Sequence, residues 1–276
     1  MEMKQITFAN GRQVCAIGQG TWNMGRYPIK RKEETEALLT GIDLGMTMID
    51  TAEMYKNEEF IGRVIKGLRD KVFLVSKVHP ENANYEGTIH ACENSLLKLG
   101  TDYLDLYLLH WKSRYPIEET IGAMTDLQHS GKIGLWGVSN IDLPDLEKME
   151  TSLEGCACDA NQVLYNLQER GVEYDLIPWT QQIEMPIIAY SLLGEGALKS
   201  HPALIQIAEK HHASPVHIAL AWTIRQPWVM AIPKAATTRH VEENFQSLGI
   251  SLDAGDLELL DKAFLPLTHK IPLAGW

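Results

Sequence analysis

Short, unbroken apolar runs return along the chain at roughly 30-residue intervals. They are VCAIG at 14–18, MTMID at 46–50, VFLVSK at 72–77, LDLYLLH at 104–110, IGLWGVSN at 133–140, CDANQV at 158–163, PIIAYS at 186–191 and WVMAIPK at 228–234. Runs without polar alternation are what strands buried on both faces require, as in a parallel sheet. Between them lie segments with helix signals. Residues 116–131 begin at Pro116, repeat Ile117, Ile121 and Met124, and stop at Gly131, which predicts a helix. Ser214 before Pro215 predicts another helix start, leading into Ile218, Ala221 and Trp222.

Eight strand-then-helix units follow one another with no linker, low-complexity segment or charge block between them. That order predicts an α/β fold, a (β/α)8 TIM barrel forming one domain over residues 1–276; a doubly wound open sheet is the competing arrangement. Ahead of the first unit, KQITFANGRQVC predicts a β-hairpin with an Asn-Gly turn, a cap for the barrel floor. After the eighth, Leu257, Leu260 and Phe264 share one face of a helix over 252–264, which would lie against the outside.

In such a barrel reactive groups stand at the carboxyl ends of the strands. Three successive runs end in Asp50, Lys77 and His110, and Tyr55 lies in the loop after Asp50. Taken singly each has an ordinary explanation: Asp50 as a cap, Tyr55 as packing, Lys77 snorkelling to solvent, His110 as a hydrogen-bonded core histidine. Together on one rim they support carbonyl reduction. An ammonium at Lys77, kept charged by Asp50, would stabilise the Tyr55 phenolate and lower its pKa. Tyr55 would then serve as general acid to an oxygen that His110 holds by a hydrogen bond.

Composition narrows the partners. A formal net charge of -11 argues against nucleic acid and against an anionic membrane, both of which call for a basic face. No stretch approaches the roughly 18 apolar residues of a membrane span, and MEMKQITFANG carries no apolar signal region, so a cytoplasmic protein acting on a small molecule is expected. A monomer is also expected. Cys15, Cys92, Cys156 and Cys158 are too few for a disulfide scaffold and lack zinc spacing; they read as reduced core thiols. His211, His212 and His217 show no HExxH, so no metal is expected, and they read as a solvated helix end.

These segments resemble the aldo-keto reductases, particularly bacterial members that reduce methylglyoxal and similar small aldehydes. The resemblance is carried by GQGTW at 18–22, GIDLGMTMIDTAEMY at 41–55, LVSKV at 74–78, TDYLDLYLLHW at 101–111, KIGLWGVSN at 132–140, NQVLYN at 161–166 and MAIPKAATTRHVEEN at 230–244. It implies a catalytic tetrad of Asp50, Tyr55, Lys77 and His110, with NADPH as hydride source. GQGTWNMG does not have the dinucleotide fingerprint spacing, so a Rossmann site is not expected.

By that resemblance Thr21, Trp22 and Asp50 border the cofactor, Ser139, Asn140 and Gln162 hold the nicotinamide carboxamide, and Tyr190 stacks on its ring. Ser191, Leu192 and Gly194 would follow the pyrophosphate, while Lys234, Thr237, His240, Glu243 and Asn244 would surround the adenosine end. The substrate, a small carbonyl compound, would meet Trp22, Tyr55, His110 and Trp111. Short loops predict an open site. Ala235 stands where many members have Ser and His240 where many have Arg, which leaves NADH as a weaker second cofactor. The implied reaction is NADPH-dependent reduction of aldehydes and ketones, including 2-oxoaldehydes such as methylglyoxal and aromatic aldehydes. The alternatives are an NAD(P)H-binding sensor with slow turnover, a sugar or keto-acid reductase, or a proton-transferring isomerase of the same fold.

Overall fold

The computed structural model describes residues 3–152 and 158–275. Among the described residues there are ten strands. β1 (Gln5–Thr7) and β2 (Gln13–Cys15) form an antiparallel hairpin, with Gly11 of the Asn-Gly turn at φ +79°. Phe8 from the hairpin stacks on Phe73 at 4.7 Å, and Arg12 bonds to Asp105 and to the carbonyl of Val72. These partners lie at the amino ends of two barrel strands, so the hairpin covers the floor as expected.

The other eight strands are β3 (Gln19–Gly20), β4 (Met48–Asp50), β5 (Phe73–Val78), β6 (Leu104–Leu109), β7 (Ile133–Ser139), β8 (Asn161–Leu164), β9 (Ile187–Tyr190) and β10 (Val229–Ala231). They form one parallel sheet in chain order. The last strand returns to the first: Gly18 N–H donates to Ala231 O at 2.8 Å, and Ala231 N–H donates to Ala16 O at 2.9 Å. The sheet is thus a (β/α)8 barrel rather than the doubly wound alternative. At this seam a Cβ on Gly20 would lie 2.6 Å from Ile232 O, so only glycine allows the approach.

Two boundaries differ from the sequence reading. The first apolar run spans two structures, since Val14 and Cys15 belong to the hairpin and the barrel strand begins beyond it at Gln19. Both pieces are buried, so no polar residue marks the break. The helix expected over 116–131 covers Ile117–His129, with Pro116 as its N-cap rather than its first residue. The last helix, Ala254–Ala263, buries Leu260 and is tied down by Arg170, which bonds Asp261 and the carbonyl of Phe264.

The pairing register fixes how the rim is built. Asp50 pairs with Val75, so Lys77 stands two residues further along β5; Lys77 pairs with Leu108, so His110 stands two further on, just past the end of β6. Steps of two keep all three side chains on the same, inner face. Ser139 pairs with Gln162 on the neighbouring strands β7 and β8.

Candidate active site

Lys77 is wholly buried, and its ammonium donates to Asp50 Oδ1 at 2.7 Å, Thr51 O at 2.8 Å and Tyr55 Oη at 3.4 Å. All three protons are therefore placed. Burial lowers its pKa, but Asp50 and Tyr55 outweigh that cost and hold it above the ordinary lysine value. The second carboxylate oxygen of Asp50 accepts from Gln162 Nε2 at 2.8 Å. That bond crosses the barrel from β8 to β4.

Tyr55 departs from expectation in one respect. Burial pushes its phenol above the ordinary tyrosine value; Lys77 pulls it down without reversing the shift, and Asp50 adds to it. Lys77 acts with the expected sign but returns less than burial removes, its contact being at the long end of hydrogen-bond range. The phenol is consequently neutral and loaded at ordinary pH. His110 is buried and held down to about 2 by burial, then by Lys77 and His79, so its imidazole is neutral. Its Nδ1 is buried without a hydrogen-bond partner. Trp22 meets the Tyr55 ring edge-on at 4.9 Å, Tyr55 lies 5.6 Å from the His110 ring, and Trp111 lies 4.8 Å beyond.

A continuous polar network joins the next three strands. Ser139 Oγ donates to Gln162 O at 2.9 Å, Asn140 Nδ2 donates to Ser139 Oγ at 3.1 Å and His110 O at 3.3 Å, and Tyr190 Oη donates to Asn140 Oδ1 at 2.8 Å. Ser139, Asn140, Gln162 and Tyr190 are thus brought together beside the tetrad. Backbone strain concentrates on this rim. Asn23, Lys56, Asn140 and Ser191 all adopt left-handed φ between 55° and 64°, each just beyond or near a strand's carboxyl end.

The loop after β9 runs through Ser191, whose carbonyl is held by Asn166 Nδ2 at 2.8 Å, and buries Leu192. Only the backbone of Leu192 could face a phosphate. Gly194 has φ +50°, and a Cβ there would fall 2.1 Å from Gln168 Oε1, so the position is a cradle that a side chain would fill. After β10, Lys234 is exposed, and Thr237 caps the helix Thr238–Gln246, accepting from His240 N–H at 3.3 Å. His240 is exposed with Arg239 Nη2 3.2 Å from its Nε2; Glu243 lies 3.8 Å from Arg239, and Asn244 is buried. Thr21 is fully buried with its hydroxyl donating to Asp50 O at 2.8 Å, so it is part of the wall.

Sequence reasoning missed Asn57, Asn166 and Arg239. Arg239 was visible as a cation one position before His240, whereas the two asparagines have no local signature beyond turn chemistry. Three further expectations need correction. Of the three histidines, only His212 is exposed; His211 pairs with Asp256 at 2.7 Å, and His217 is buried with Nδ1 accepting from Ser214 N–H at 2.9 Å. The site is less open than the short loops imply. Lys270 ties the tail to Asp142 at 2.6 Å and Asp175 at 2.8 Å, and a Cβ on Gly275 would lie 3.8 Å from Asn140 Oδ1. Cys158 is only half-buried in the folded chain, while Cys15 and Cys92 are buried; all three are free thiols, and Cys156 lies outside the described residues. Burial raises Cys15 to about 11 and Cys92 to about 12.

The aldo/keto reductase family model matches residues 16–264. The methylglyoxal reductase YeaE of Escherichia coli (strain K12) is 48% identical over 272 residues, covering 96% of this chain and 96% of that protein. The glyoxal reductase of Bacillus subtilis (strain 168) is 36% identical over 259 residues, covering 93% and 91%. Among solved structures, an aldo-keto reductase from Klebsiella pneumoniae in complex with NADPH superposes with a TM-score of 0.97 at 45% identity, covering 100% of both chains. With a family match over most of its length and relatives aligned nearly end to end, the chain belongs to the aldo/keto reductase family.

Proposed function

We propose that the protein is an NADPH-dependent reductase of small aldehydes and ketones, 2-oxoaldehydes such as methylglyoxal and aromatic aldehydes among them, with Tyr55 as proton donor. The observation that carries this reading is the fully buried ammonium of Lys77, 2.7 Å from Asp50 and 3.4 Å from the phenol of Tyr55, on the rim that His110 shares. The relatives named for methylglyoxal and glyoxal reduction and the structural relative holding NADPH support the substrate class and the cofactor.

The residues fit the dinucleotide. Ser139, Asn140 and Gln162 offer donors and acceptors suited to a carboxamide, the half-buried ring of Tyr190 offers a stacking face, Gly194 leaves the cradle open, and Lys234 and Arg239 offer cations, with the His240 imidazole beside them, to phosphate. When bound, NADPH supplies the hydride. As charge grows on the carbonyl oxygen, neutral His110 donates a hydrogen bond to it, and Tyr55 gives it a proton. Lys77 steadies the phenolate left behind, and Asp50 keeps Lys77 charged while that happens. Trp22 and Trp111, either side of the tetrad, offer apolar walls that favour a compact substrate.

The test is consumption of NADPH, followed by its nicotinamide absorbance, with methylglyoxal and with an aromatic aldehyde, by wild type and Tyr55→Phe. Wild type should turn over both, and Tyr55→Phe should lose at least about 10²-fold in kcat with its NADPH affinity nearly intact. Near-normal turnover by that variant would remove Tyr55 from the role.

A further inference from the structure

Asn57 stands at the N-cap of the helix Glu58–Val64, two residues after Tyr55, yet its side chain does not cap that helix. An asparagine at this position ordinarily accepts from the first turn's N–H groups. Here the carboxamide is buried, 4% exposed, and is directed elsewhere. Its Oδ1 accepts from Thr51 Oγ1 at 2.7 Å, and its Nδ2 donates to Thr21 O at 2.8 Å. Both partners lead directly to the tetrad. Thr51 O is the acceptor for Lys77 Nζ, and Thr21 is bonded through its hydroxyl and its N–H to Asp50 O.

Between Tyr55 and Asn57 the chain passes through Lys56 at φ +56°, a conformation costly for a residue with a side chain. That turn folds Tyr55 back over the rim. Such a turn holds only where both flanks are fixed, and Asn57 fixes one flank to the loops after β3 and β4. The next residue adds a second anchor: Glu58 Oε1 accepts from Ser76 Oγ at 2.7 Å, on the residue adjoining Lys77. We infer that Asn57 is a positioning residue, one that sets the separation of the Tyr55 phenol from the Lys77 ammonium through Thr51 and Thr21, which rests on the reading of Tyr55 as proton donor. Its effect passes through the phenol's distance to the ammonium, which a displacement near 1 Å would end.

The experiment compares Asn57→Ala, Thr51→Val and the conservative Thr51→Ser in the full chain. Melting temperature, kcat and KM for methylglyoxal, the solvent isotope effect on kcat and NADPH affinity are measured. The Cζ resonance of Tyr55 is followed in 13C-tyrosine-labelled protein, assigned by its absence in Tyr55→Phe. Asn57→Ala and Thr51→Val should lose on the order of 10²-fold in kcat, with KM and NADPH affinity moving by less than about threefold. The solvent isotope effect should rise and the Tyr55 resonance should shift, while Thr51→Ser restores all of these. Should Asn57→Ala fail to fold, Thr51→Val, which removes one hydroxyl at nearly constant volume, decides the matter against Thr51→Ser. Folded variants with the wild-type resonance, or a kcat loss without change in the isotope effect, overturn the inference. If wild type reduces no carbonyl, the enzyme reading fails on its own, and the Tyr55 resonance still decides for or against the positioning role.

Discussion

Replacing Lys77 by methionine keeps the volume of the side chain and removes its charge, and the structure sets the size of two separate losses. The first is to stability. Removing one partner of a buried ion pair leaves the other uncompensated, at a cost of about 3–5 kcal/mol. Gln162 continues to donate to the far oxygen of Asp50, so the lower end of that range is expected. The second loss is catalytic. A unit charge 3.4 Å from the phenol oxygen stabilises a full phenolate by about 5 kcal/mol at an effective dielectric near 20. With about half of that charge developed in the transition state, about 2.5 kcal/mol is forfeited, on the order of 10²-fold in kcat. NADPH affinity should hold, because Lys77 is bonded to Asp50, Thr51 and Tyr55 and offers no donor to a phosphate. The assay is single-turnover reduction of methylglyoxal with excess enzyme, run below the variant's melting transition, alongside fluorescence titration of NADPH. A folded Lys77→Met enzyme within about tenfold of wild type would show that the charge does not assist the phenol and that Lys77 serves only the fold.

With Tyr55 and Lys77 both raised above their ordinary values, the reductive chemical step should be level from about pH 6 to 9 and fall only at more alkaline pH; a decline centred near neutrality would refute a neutral-phenol donor. His110 is held down to about 2 when folded, so the unfolded chain binds the extra proton first, and stability conferred by the neutral ring is lost as pH falls below the ordinary histidine value. Chemical denaturation of His110→Gln should therefore show a shallower stability loss between about pH 6.5 and 4 than wild type; equal slopes would contradict the burial argument. Arg239→Ala should weaken NADPH by about tenfold while leaving NADH nearly unchanged, as read by fluorescence titration, and equal effects on both would place Arg239 away from the 2′-phosphate.

The barrel and the gathering of Asp50, Tyr55, Lys77 and His110 on one rim were legible because both signals are local. A buried strand shows as an apolar run, and a polar residue ending that run shows in the same few letters, as at Asp50, Lys77 and His110. What was not legible depends on distance. Thr21 lies 36 residues from Asn57, so an asparagine two places after Tyr55 reads as a cap until the loops are seen together. The direction of the Tyr55 shift likewise depends on how much water the fold removes from around the phenol, a quantity with no letter in the sequence. The seam of the barrel escaped notice for the opposite reason: hairpin and strand are both buried and adjoin, so one apolar run conceals two elements.

The two-residue climb from Asp50 to Lys77 to His110 gives the molecule a parity rule. Inserting or deleting one residue within β5 upstream of Lys77 would turn the ammonium outward into the helical layer and bring Ser76 or Val78 to face the lumen. Two residues would preserve the facing but slide the ammonium one rung, roughly 6–7 Å, away from the phenol. The loops beyond the rim, apart from the one after β4 that carries Tyr55, obey no such arithmetic, since a longer connection there shifts no rung. Variation is therefore free to accumulate as changes of length in those loops, whereas the strands that carry Asp50 and Lys77 can change other letters but not count.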